Sequence, residues 1–228
     1  MLTNTEKQFS ILFFIIVLLE LITGSTETLQ STHYIAKPAI VISLIFLFIR
    51  TSKSLSKSLR NLTILALVFS LLGDVLLMFV DESQNFFTFG LVAFLIAHVM
   101  YVLLFLKHRN KEKSPYGFIV LLLIYASSLF YFLKDGLDEL LIPVVVYMLV
   151  ILAMATSSFL RKNNANILSY GLVFLGALFF MISDSILALN KFHQSIPWSN
   201  ISIMVTYALA QYLIVIGILK INVTNSKV

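Results

Sequence analysis

The sequence predicts an all-α, polytopic membrane bundle of eight transmembrane helices with both termini in the cytoplasm. Three observations lead there. Of the 228 residues, 59% are hydrophobic and 12% charged, about half the charged share of a typical soluble domain. Apolar runs recur eight times, and because a hydrocarbon core of ~30 Å takes ~20 helical residues, they use up the chain and leave no room for a soluble domain. Finally, 13 of the 16 basic residues fall on alternate connectors. Residues 1–228 therefore read as a single transmembrane domain.

The first run, 9–22, follows Lys7 and ends in ELITGSTETLQ; without a small-x-small cleavage pattern it reads as a retained helix, not a signal peptide. The second, 34–49, opens on its outer side with the AKP of Lys37 and Pro38. Lys53, Lys57 and Arg60 precede the third, 62–80, which holds LVFSLLGDVLLM. The fourth, 86–106, holds FGLVAFLIAHVMY and runs into Lys107, Arg109, Lys111 and Lys113. The fifth, 116–133, gives way to an acidic connector with Asp135, Asp138 and Glu139. Pro143 opens the sixth, 140–160, which closes on Arg161 and Lys162. The seventh, 168–189, holds LGALFFMISDSILAL, and the eighth, 200–219, holds YALAQYLI before Lys220 and Lys227.

Lys37, Lys134 and Lys191 are the three basic residues on the opposite side, together with Glu27, Asp81, Glu82 and the acidic connector. The positive-inside rule then puts the basic connectors and both termini in the cytoplasm. A net charge of +5 is accounted for by this topology signal and by attraction to anionic membrane lipids, so no nucleic-acid partner is expected. The Asn-, Lys- and Ile-rich composition is bacterial in character, and the expected location is the bacterial cytoplasmic (inner) membrane. No oligomeric state follows from these features.

Asp74 and Asp184 lie deep inside apolar runs. An ionised carboxylate there costs at least ~2.5 kcal/mol, so a chain keeps one only for a partner, a wet cavity or chemistry. At ~1.5 Å per residue, Asp74 is expected roughly 10 Å and Asp184 roughly 9 Å below the outer ends of their helices, with His98 and Gln211 each roughly 18 Å down. This spacing predicts an upper acidic tier, a lower amide and imidazole tier, and a polar shaft open to the outer leaflet. Tyr101 follows His98 at i+3 and Tyr207 precedes Gln211 at i−4, so each pair shares a helix face. Lys37 at the outer boundary reaches either Asp74 or an anionic substrate group. Glu20, Tyr34, Tyr116 and Trp198, near span ends, read as interfacial residues.

Several chemistries are disfavoured. The chain has no cysteine, which removes disulfides, iron–sulfur clusters and thiol catalysis. Its four histidines, His33, His98, His108 and His193, show no HxxxH or HxxE spacing, so no metal is expected. No Gly-rich phosphate loop or GxSxG elbow is present, and no cofactor is expected. The halves, about 1–110 and 111–228, are weakly alike: LVFSLLGDVLLM resembles ALFFMISDSILAL, with Asp184 110 residues after Asp74 (184 − 74) and Pro143 105 after Pro38 (143 − 38). They read as a candidate tandem repeat of two four-helix units with a site between them.

Taken in order, AKP, FSLLGDVLLM, FGLVAFLIAHVMY, FFMISDSILALNKF and YALAQYLI make the chain resemble the YhhN family, whose characterised animal members are lysoplasmalogenases. The resemblance spans nearly the whole chain from the second helix onward. It implies hydrolysis of the vinyl ether bond of a lysoplasmalogen-type lysolipid to a fatty aldehyde and a glycerophospho-alcohol. Protonation of the vinyl β-carbon gives an oxocarbenium ion that water attacks, which requires an acid and a nearby negative charge. Asp74 and Asp184 fit these roles in either order, with His98, Tyr101, Tyr207 and Gln211 holding water or substrate oxygens and Lys37 meeting the headgroup phosphate. The alternative is a secondary transporter or proton-coupled carrier using the same aspartates.

Overall fold

The protein is described by a computed structural model covering residues 2–221; Lys227 lies outside the described residues. These form eight α-helices joined by short connectors and single 3-10 turns, with no strand among them: α1 Asn4–Gly24, α2 Gln30–Thr51, α3 Lys57–Leu77, α4 Gln84–Leu106, α5 Tyr116–Leu133, α6 Leu141–Phe159, α7 Ile167–Phe192 and α8 Ser199–Leu219. All eight are long and apolar enough to cross a membrane. Several helices start where a side chain satisfies the free N–H groups of a first turn. Thr3 and Glu6 form a reciprocal capping box on α1, and Ser56, Ser83 and Asn166 cap α3, α4 and α7.

Two chain ends meet at one end of the bundle. The Lys220 ammonium after α8 donates to Glu6 near the start of α1, and the hydroxyls of Ser10 and Tyr212 are bonded to each other. We call this the near end and the opposite one the far end. Arg161, expected in an exposed basic connector, is instead fully buried at the near end, where its Nη2 donates to Ser169 Oγ at 2.8 Å and its guanidinium lies 5.7 Å from the Phe105 ring centroid. That bond and the aromatic face meet part of the buried cation; its Nε has no hydrogen-bond partner among the described residues.

The core is organised around α8, 61% of whose spanning window is buried, against 11% for the peripheral α5. Antiparallel α3 and α4 pack closely, as do α7 and α8. Glycines set both contacts: the position a Gly73 Cβ would take is 2.6 Å from the Phe94 ring, and that of Gly176 is 2.9 Å from the Ala210 carbonyl oxygen. Small residues let helix backbones approach where lipid supplies no hydrophobic drive between them. These two hairpins carry Asp74, His98, Tyr101, Asp184, Tyr207 and Gln211, so their packing positions the candidate site.

Candidate functional site

Helix ends shift the expected depths. α3 stops at Leu77, so Asp74 lies three residues, ~5 Å, from its far end, while α7 runs on to Phe192 and leaves Asp184 eight residues, ~12 Å, down. The two-tier arrangement also gives way, for a reason of direction. Side chains lean toward the N-terminus of their own helix. Asp74 and Asp184 sit on helices that start at the near end and lean down, whereas His98, Tyr207 and Gln211 sit on helices that start at the far end and lean up. Groups of unequal backbone depth therefore converge.

Around Asp184 the convergence joins three helices. Tyr147 on α6 donates its O–H to Oδ2 at 2.6 Å, and His98 Nε2 on α4 stands 3.7 Å from the same oxygen. His98 is fully buried, with its ring centroid 4.5 Å from that of Phe180 and 5.3 Å from that of Tyr147. Neither imidazole nitrogen has a hydrogen-bond partner among the described residues. One helical step along α7, Ser185 is bonded to the Tyr125 hydroxyl of α5.

Asp74 ends a directional chain of donors. Tyr101 OH donates to Gln211 Oε1 at 2.6 Å, Gln211 Nε2 donates to Tyr207 OH at 3.3 Å, and Tyr207 OH donates to Asp74 Oδ2 at 2.7 Å. The chain runs from α4 through α8 to α3, and all four groups are buried. Tyr101, which shares a helix face with His98, thus serves Gln211 instead. Removing an O–H from this chain strands buried partners at about 1–3 kcal/mol each. Tyr101→Phe strands one, Gln211 Oε1; Tyr207→Phe strands two, Gln211 Nε2 and Asp74 Oδ2. The larger fall in thermal unfolding temperature in detergent is expected for Tyr207→Phe, and equal or reversed falls would contradict the chain.

Both aspartates open on one cavity of about 760 Å³ at the far end, lined also by Glu20, His33, Lys37 and Tyr207. A second, apolar crevice runs between α5, α6 and α7, walled by Leu129, Val144, Ile151 and Ala188. Asp184 belongs to both spaces, as do Leu77, Phe87 and Phe94. A vestibule with polar and charged residues in its wall and an apolar slot therefore meet at one carboxylate, an arrangement suited to an amphiphile whose polar and apolar parts join near Asp184.

Lys37 is half-buried in the vestibule wall. Glu20 departs from the interfacial reading: it is 1% exposed and faces His33 Nδ1 at 3.1 Å. His193 lies elsewhere, its ring 5.6 Å from that of Phe132, and no three His, Cys, Asp or Glu residues form a metal-sized group among the described residues. Sequence reasoning missed Tyr147, Tyr125 and Glu20. The signal for Tyr147 was available in LIPVVVYMLV, since a phenol midway along an apolar helix needs a partner for its O–H.

Comparison with known proteins adds one finding. No curated protein and no solved structure matches the chain. A model of the YhhN family matches residues 32–218, which is most of the chain. The match begins in α2 and ends in α8, taking in every helix that bears on the two aspartates. The chain belongs to the YhhN family.

Proposed function

We propose that the protein is a membrane-embedded hydrolase that cleaves the vinyl ether bond of a lysoplasmalogen-type lysolipid, releasing a fatty aldehyde and a glycerophospho-alcohol. The observation that carries this reading is the position of Asp184 where the vestibule and the apolar crevice meet, with Asp74 in the same vestibule. A single-chain lipid laid with its chain in the crevice and its headgroup toward Lys37 puts the vinyl ether between the two carboxyls. Membership of the YhhN family, through its lysoplasmalogenase members, supports the same reaction.

The geometry favours a division of labour. Asp184 reaches the crevice, where the vinyl β-carbon lies, so it is the proton donor, with His98 beside it. Asp74 lines the vestibule and not the crevice, so the role left to it is to stay ionised, stabilise the oxocarbenium ion and direct water. Water adds to the cationic carbon, Asp74 takes its surplus proton and passes it back to Asp184, and the hemiacetal collapses to aldehyde and alcohol. The balance is one vinyl ether plus one water to one aldehyde plus one alcohol, without a cofactor. Tyr101, Tyr207 and Gln211 hold Asp74 in place, and Lys37 meets the headgroup phosphate.

The test is aldehyde release by detergent-purified protein supplied with a 1-alkenyl lysophospholipid and no ion gradient. Aldehyde is expected. Its absence, together with substrate flux into sealed proteoliposomes, would overturn the hydrolase in favour of a proton-coupled carrier.

A further inference from the structure

Glu20 and His33 have no part in the reaction above, yet they are built into the vestibule. Glu20 sits on α1, which lies before the matched residues 32–218, so nothing in the family match supplies it. Its carboxylate is buried behind the imidazole: Glu20 is 1% exposed and the His33 side chain 22%. His33 Nδ1 lies 3.1 Å from each carboxylate oxygen. Gly24 closes the corner between α1 and α2, where an added Cβ would stand 3.2 Å from His33 Nδ1 and 3.4 Å from Glu20 Oε1. A buried acid in an apolar helix, a ring held against it and a glycine that makes room for both form a built arrangement.

What it presents follows from the charge on Glu20. In its ionised form the carboxylate only accepts hydrogen bonds, which places the hydrogen on His33 Nδ1. The other ring nitrogen, Nε2, keeps its lone pair and has no partner among the described residues. Glu20 thus selects a tautomer, as the carboxylate of a hydrolase triad does for its histidine. The dyad shows the vestibule an acceptor backed by a negative charge. Lys37, one turn along the same face of α2 and about 6 Å further down its axis, shows a positive charge in the same cavity.

Resting on the hydrolase reading for what occupies the vestibule, we infer that Glu20, His33 and Lys37 form a headgroup subsite specific for a phosphorylated primary amine. The ammonium of the headgroup donates to His33 Nε2, its phosphate pairs with Lys37, and a two-carbon spacer bridges them. A trimethylammonium group has no N–H to donate, and a glycerol head has no charge to offer the dyad. His33 is the specificity-determining contact, and Glu20 is a positioning residue that acts through it.

The experiment measures binding of three non-cleavable 1-O-alkyl lysophospholipids to the detergent-purified full chain, with phosphoethanolamine, phosphocholine or phosphoglycerol heads. The wild-type protein is expected to bind the phosphoethanolamine lipid about tenfold more tightly than the other two: phosphocholine has no N–H for the acceptor, and phosphoglycerol donates only a neutral O–H, a weaker bond than a charged donor makes. Glu20→Gln offers Nδ1 an amide N–H and frees the other tautomer, so the preference falls to within about twofold while phosphoglycerol binding holds. Should Glu20→Gln not fold, His33→Lys makes the same prediction, because it leaves the carboxylate in place and removes the acceptor. Equal binding of the three lipids by the wild-type protein, or a preference that survives either substitution, overturns the subsite. Aldehyde release separates the two readings: release without headgroup preference sinks only this inference, and preference without release sinks only the hydrolase.

Discussion

Asp184→Asn and Asp74→Asn are each expected to slow aldehyde release by about 10²–10⁴-fold, the usual contribution of a positioned acid or base, or about 3–5 kcal/mol of barrier. Asparagine keeps the shape of the side chain and still accepts a phenolic O–H through its amide oxygen, so Tyr147 and Tyr207 retain their bonds. What is lost is a transferable proton at Asp184 and a negative charge at Asp74. The two act on one substrate in one cavity, so the double variant should be scarcely slower than the worse single one. Single-turnover assays in detergent, on variants whose unfolding temperatures match the wild type, give the answer. Wild-type rates in both variants would remove the mechanism and leave the fold untouched.

The eight helices were legible because a membrane fixes their length and composition, and the expected runs fall within a few residues of the observed spans. Asp74 and Asp184 stood out through the cost of their charge in hydrocarbon, and Tyr207 and Gln211 through a shared helix face. Their partners did not stand out. Tyr147 meets Asp184 across 37 residues of sequence and Tyr101 meets Gln211 across 110, and helical periodicity says nothing about which helices are neighbours. The depth count failed for a related reason: it placed backbones, whereas side chains on antiparallel helices lean toward one another and close the gap. Glu20 was passed over because its position near a span end is also where interfacial acids belong; only burial against His33 separates the two cases.

A large loss of stability is expected from Gly176→Val, with Gly176→Ala a milder form. A Cβ at position 176 would lie 2.7 Å from Ile214 Cγ1, 2.9 Å from the Ala210 carbonyl oxygen and 3.0 Å from the Ile214 backbone nitrogen. A side chain can turn away, but two of these three contacts are backbone, so α7 and α8 must separate. Overpacking of this kind costs about 1–3 kcal/mol, set against a gain of about 1 kcal/mol in helix propensity for alanine over glycine. Valine adds bulk without that gain and should fall at or beyond the upper figure. Gly171, on the same helix, has nothing within 4 Å of its would-be Cβ, so Gly171→Ala keeps the propensity gain and should stabilise. Opposite signs for alanine at 171 and 176, read from unfolding temperatures in one detergent, separate close helix contact from intrinsic preference; stabilisation at both positions would refute the packing argument. Function should follow the interface, because Ala210 adjoins Gln211 and Gly176 lies two turns from Asp184. Moving α8 off α7 pulls Gln211 from Tyr101 and Tyr207 from Asp74, so Gly176→Val should lose activity even where enough protein folds to be assayed.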